Sequence, residues 1–241
     1  MTERTVTQHP VERGPVASLF SGTLKFIFFL VIALVFSILV EWIGLTFFWA
    51  DEGQQHSAQM LTQEIEYLNQ DFTRSVLTQQ PAQFAAHTAD FFHDILFRKS
   101  GIERGLLWLA SPSDEPSRVR VWLREAYDIV ADYAIATMTV TQVFAVRVAI
   151  LILAMPAFVL LGLVGLTDGL VQRDLRRWGG GRESAFVYHW AKLTLMPSLV
   201  LPWIIYLAMP FSVHPNRIVL PFAVFFALAI AVMASSFKKY L

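Results

Sequence analysis

Cysteine is missing from the 241 residues, which excludes disulfides, thiol catalysis and cysteine-ligated metal. Charge is scarce: 16% of the chain is Asp, Glu, Lys or Arg, against roughly 25% in soluble domains. Net charge is absent too, because 19 basic residues cancel 19 acidic ones, so the total offers no general attraction to nucleic acid. The GxSxG elbow, the HExxH metalloprotease order and the glycine-rich lysine loop of nucleotide sites do not occur. What abounds is apolar. Hydrophobic residues make up 55% of the chain, 20 phenylalanines among them, and mean hydropathy is +0.50. That balance selects an integral membrane protein.

The stretch 167–192 organises the rest, a basic segment between two long apolar runs. Before it, 143–166 is uncharged except for Arg147; after it, 193–211 has no acidic or basic residue. Runs of about 20 such residues suit a bilayer. Two more occur, at 24–49 and 218–237. The expected architecture is all-α, a polytopic membrane protein with four transmembrane helices. The linking segments are a tail at 1–22, a polar region at 50–142, the basic loop at 167–192, a turn at 212–217 and a tail at 238–241. The first run is too long for a signal-peptide core and lacks a small-x-small cleavage site, so it reads as an uncleaved span.

Within 50–142, apolar residues Met60, Leu61, Ile65, Leu68, Phe72, Val76 and Leu77 recur at helical spacing. Pro81 starts a second helix with Phe84, Phe91, Phe92, Ile95 and Leu96 near one side, and Ile102–Leu109 is a short apolar piece. The SPSDEP break at 111–116 precedes a third helix, which nothing separates from the second span until Pro156. These pieces predict an amphipathic helical layer against the membrane. It carries 13 acidic and 7 basic residues, whereas 168–192 has five basic against three acidic and the chain ends on Lys238 and Lys239 before Tyr240. The positive-inside rule therefore places both termini and 167–192 in the cytoplasm and 50–142 on the other side, which in a bacterium would be the periplasm.

Candidate interaction residues concentrate in the basic loop. Leu170, Val171, Leu175 and Trp178 mark one face of a short helix flanked by Arg173, Arg176 and Arg177, and Gly179–Gly181 break it. Such a helix suits either the headgroups of anionic lipids or a cytoplasmic protein partner. Arg182, Glu183, Tyr188 and His189 follow at the mouth of the third span. They form no nucleophile–base–orienter set. Elsewhere the bland readings are preferred. Arg147 sits near the outer end of its span, where it would snorkel to the interface; Glu41 needs no special role. His87, Asp90, His93 and Asp94 have a spacing that permits a metal-facing stripe and equally a solvated face, and no cofactor or metal is expected. The spans contain no carboxylate pair or His–Asp chain of the kind ion transport uses. Gly162, Gly165 and the alanines from Ala227 to Ala234 offer small faces, either inside one bundle or between copies in a homo-oligomer.

The strings RDLRRWGGGRES at 173–184 and FVYHWAK at 186–192 resemble a signature region of a membrane-protein family encoded by integrating conjugative elements. The order of one span, a helical region, a second span and a closing hairpin is similar as well. This chain has Trp190 after His189 where the family pattern carries a second histidine, which weakens any paired-histidine chemistry. The resemblance implies an inner-membrane component associated with conjugative type IV secretion and no particular reaction; the main reading built on it is a non-enzymatic accessory or scaffold component. Its implied partners are membrane or cytoplasmic proteins of the conjugation system, and a few arginines close to lipid give no reason to expect direct nucleic-acid binding. The alternative is a sensory or exclusion module that recognises a periplasmic partner.

Overall fold

The computed structural model describes residues 15–71, 77, 78, 80–111, 118–179 and 185–237. The described residues form helices and short connections, with no strand among them. In order these are α1 (Pro15–Phe47), α2 (Gln55–Asp71), α3 (Pro81–His93), a π turn (Asp94–Arg98), α4 (Ile102–Ala110), α5 (Arg118–Trp178), α6 (Ala185–Ala208) and α7 (Asn216–Ser235). Four segments are long and apolar enough to cross a membrane: Phe20–Phe47, Ala131–Trp178, Phe186–Ala208 and Asn216–Ser235.

Local chemistry explains most of the breaks. Pro81 occupies the first turn of α3, where its missing N–H has no intrahelical role. The π turn closes with the Lys99 N–H on the Asp94 carbonyl at 2.8 Å, and Gly101 then takes φ +81 to start α4. Pro156 lies inside α5 without ending it, and Pro197, Pro202 and Pro221 lie inside α6 and α7. Neighbouring membrane helices compensate for such prolines.

Helix α5 is the mast of the molecule. Its 61 residues reach about 90 Å at 1.5 Å per residue. The segment Leu170–Trp178 is the last part of this helix and not a separate helix in a loop, while residues 185–192 already belong to α6. Helices α2 and α3 pack against one half of α5, and the α6–α7 hairpin packs against the other. Helix α1 runs antiparallel to α5, fixed where Trp42 Nε1 donates to Thr137 Oγ1 at 2.9 Å and Thr46 meets the Tyr133 hydroxyl at 3.1 Å. The shared core contains Phe144, Ile150, Leu151 and Phe158 of α5, Trp203, Tyr206 and Leu207 of α6, and Val219 and Ala223 of α7. Leu68 of α2 and Ala85 of α3 extend it into the helical cap.

The two longest-packed helices, α5 and α7, run parallel. A Cβ added at Gly165 would meet the Ala227 carbonyl oxygen at 2.2 Å, and one at Gly169 would meet the Ala231 carbonyl oxygen at 2.4 Å. Small residues on both sides let the backbones approach, which is how helices associate where lipid removes the hydrophobic drive. The small faces of Gly165, Ala227, Ala231 and Ala234 are thus occupied within one chain. Gly162 faces only the Phe226 and Ile230 side chains.

Candidate functional site

The most constrained polar group in the described structure is Arg147. In the sequence it reads as a snorkelling residue; in the fold its side chain is 2% exposed and points inward, between α2 and the end of α6. Its Nε donates to Glu64 Oε1 at 2.9 Å, and Nη2 lies 2.9 Å from the same oxygen. Nη1 donates to the Met209 carbonyl at 2.5 Å, and Nη2 to the Phe211 carbonyl at 2.9 Å. The Tyr206 hydroxyl donates to Glu64 Oε2 at 2.5 Å, and the guanidinium carbon lies 5.4 Å from the centre of the Tyr206 ring.

Each part has a local reason. Met209 and Phe211 lie in the turn just past the end of α6 at Ala208, beside the negative end of its dipole, and their carbonyls are free to accept from a side chain. A planar guanidinium can serve a carboxylate and two carbonyls at once, which an ammonium does less well. Glu64 is fully buried because it lies on the inward stripe of α2, four residues from buried Met60 and four from buried Leu68. That stripe was the signal available in the sequence. It points to an inward carboxylate on α2 but does not say which cation meets it. Beside this clamp, Ser212 Oγ donates to the Met60 carbonyl at 3.2 Å, and the Tyr67 and His214 rings lie 5.0 Å apart. The cap of α2 and α3 is thereby bolted to the turn of the α6–α7 hairpin.

Glu41 also departs from its bland reading. It is buried, with His56 Nδ1 at 3.3 Å from Oε1. Trp49 stacks on His56 with centroids 4.0 Å apart, and the same indole fills the space beside Gly44, where an added Cβ would meet it at 1.7 Å. This packing closes the end of α1 against the start of α2.

The basic end is built differently. Arg173 is partly buried, its Nη2 3.5 Å from Asp174 Oδ1. Among the described residues, Arg173 Nε and one Nη of Arg176 are buried without an acceptor. Arg177 and Trp178 are exposed, Trp178 at 91%, and with Asp174 they line an open depression of about 430 Å³. Tyr188 packs on Phe237 with centroids 5.9 Å apart, joining the start of α6 to the end of α7, and His189 is exposed. Arg182 and Glu183 lie outside the described residues. The structure therefore brings Arg173 and Asp174 together and leaves Arg177, Trp178 and His189 facing outward. On the opposite half, His93 and Asp94 are tied to neighbours instead: His93 Nε2 lies 3.5 Å from Glu103, and Asp94 pairs with Arg98 and Lys99 at 3.2 and 3.3 Å. Among the described residues no three His, Asp or Glu side chains converge as a metal site would require.

An all-α bundle with four spanning helices and a helical cap defines a polytopic membrane protein. Residues 48–238 match the family described as IncC plasmid conjugative DNA transfer protein DtrJ-like, and the chain belongs to that family. The match takes in α2 to α7 and leaves out α1. No curated protein and no solved structure matches the chain.

Proposed function

We propose that the protein is a non-enzymatic scaffold of the bacterial inner membrane that docks components of a conjugative type IV secretion apparatus, as carried by an integrating conjugative element. Membership in a conjugative DNA-transfer family supports the setting. The observation that carries the scaffold role is mechanical: one continuous helix, α5, links the α2–α4 cap to the basic end, and the Arg147 clamp makes the cap and the α6–α7 hairpin one body.

In this reading the positive-inside rule orients the chain, with the basic end and both termini in the cytoplasm and the cap in the periplasm. Arg177 and Trp178 meet a cytoplasmic protein of the system. Arg173 and Arg176, whose buried N–H groups lack acceptors among the described residues, hold the phosphate of an anionic lipid, because an unsatisfied guanidinium at a membrane surface is costly.

Photo-crosslinkers at Arg177 and Trp178, and at Glu66 on the exposed side of α2, test the docking in native membranes. Adducts with conjugation-channel proteins at both ends are the expected result. Adducts with lipid alone at all three positions, together with undiminished DNA transfer after deletion, would overturn the scaffold in favour of a sensory or exclusion module.

A further inference from the structure

The polar region between α1 and α5 is not all in water. We infer that the end of α3, the π turn and α4 are inserted into the lipid leaflet on the cap side, with acyl chains filling the groove between this segment and α1.

The groove fixes the depth. Ile27, Val31 and Leu34 of α1 form one wall, and Phe91, Ile95 and Leu96 form the other, around an apolar space of about 300 Å³. The first wall belongs to the middle of the span Phe20–Phe47. Residues there sit at hydrocarbon depth if the helix crosses a bilayer at all. The facing wall touches the same space, so it shares that depth. Ile27 and Val31 are themselves exposed on the outside of α1, and the groove is continuous with the face that the bilayer covers. That continuity selects lipid as its occupant.

Residues beyond the groove are those of an interface. Arg98 and Lys99 follow at once, with side chains 66% and 69% exposed and both paired to Asp94. Long cationic side chains of this kind keep their stems in the apolar layer and their heads at the surface. Helix α4 then exposes Leu107 and Trp108 close to exposed Arg104, a grouping suited to the headgroup boundary. The π turn lies where the chain leaves the groove and reaches the charged pair. The inference holds whichever side of the membrane the cap occupies, so it stands apart from the docking proposal.

The absence of cysteine makes a clean test possible in the full chain. Ile95→Cys and Leu107→Cys would each carry a nitroxide, with the protein in vesicles of phosphatidylethanolamine and phosphatidylglycerol. Leu160→Cys supplies the lipid-facing reference and Gln70→Cys the aqueous one, both being exposed positions. At 95 the collision rate with oxygen should exceed that with a water-soluble nickel chelate, approaching the ratio at 160, and at 107 the ratio should fall between those at 160 and 70. A ratio equal to that at 70 would overturn the insertion. Low accessibility to both reagents at 95 and 107 would also overturn it, because protein and not lipid would then cover the segment.

Discussion

Helix α5 carries two arginine sites about 40 Å apart along its axis, and they obey opposite rules. Arg147 is nearly inaccessible and spends its donors on one carboxylate and two carbonyls. Arg176 and Arg177 lie in the last turn of the same helix, with Arg177 open to its surroundings. The residue type is identical, so the role comes from what the neighbouring helices offer. Beside Arg147 the end of α6 supplies bare carbonyls and α2 supplies an anion. The basic end supplies Asp174 and little else among the described residues. An arginine of the first kind holds helices together, and one of the second kind is available to something outside the chain.

The largest expected effect breaks the first site. Arg147→Met leaves Glu64 charged and buried, a loss of about 3–5 kcal/mol, read as earlier unfolding of the detergent-solubilised protein in a denaturant series. Combining it with Glu64→Leu should restore most of that loss, since a buried pair replaced by apolar groups is often neutral. A double variant as unstable as Arg147→Met would show that the carbonyl contacts, not the ion pair, dominate.

Gly165→Leu comes next. Its side chain would run into the Ala227 backbone, which cannot swing aside as a rotamer does, and overpacking of this kind costs about 1–3 kcal/mol. Gly162→Ala should cost less, because only the Phe226 and Ile230 side chains must yield. Tyr206→Phe removes one hydrogen bond to the buried carboxylate, worth about 1.5–3 kcal/mol for a charged acceptor, and leaves the ring packing intact. The same denaturant series ranks all three.

The smallest effect on stability belongs to the second site. Arg177→Ala and Trp178→Ala should change unfolding by no more than about 0.5 kcal/mol, yet weaken attachment of the basic end to anionic vesicles or to its protein partner. That attachment should fade as salt is raised, because exposed charges are screened beyond about 10 Å at 0.1 M. The Arg147 clamp should not respond. A salt-insensitive basic end would erase the contrast between the two sites.

The spans are legible in the sequence because hydrocarbon demands about 20 successive residues with almost no charge, and a soluble core does not. Helices α2 and α3 are legible because their apolar spacing and Pro81 are local signals. The continuity of α5 is legible too, since no breaker stands between Pro116 and Pro156. Arg147 misleads because its partners are remote or anonymous. Glu64 is 83 residues away in sequence, and the carbonyls of Met209 and Phe211 belong to the backbone, which residue letters do not distinguish. The burial of Glu41 is hidden for a similar reason: His56 and Trp49 fold back on it through a turn. Composition reveals the basic helix, but it does not reveal that 167–178 continue α5 and that 185–192 already belong to α6. The packing of Gly165 against Ala227 within one chain is likewise a long-range contact that residue letters do not announce.

The clamp also imposes an order of assembly. A ribosome releases Glu64 first, Arg147 83 residues later, and Tyr206, Met209 and Phe211 last. Until α6 and the turn after it enter the bilayer, the ion pair stands with three of its four hydrogen bonds unmade. The last two helices therefore act as the closing step of biogenesis. A chain halted before Tyr206 would present quality-control proteases with an exposed polar seam in place of a finished bundle.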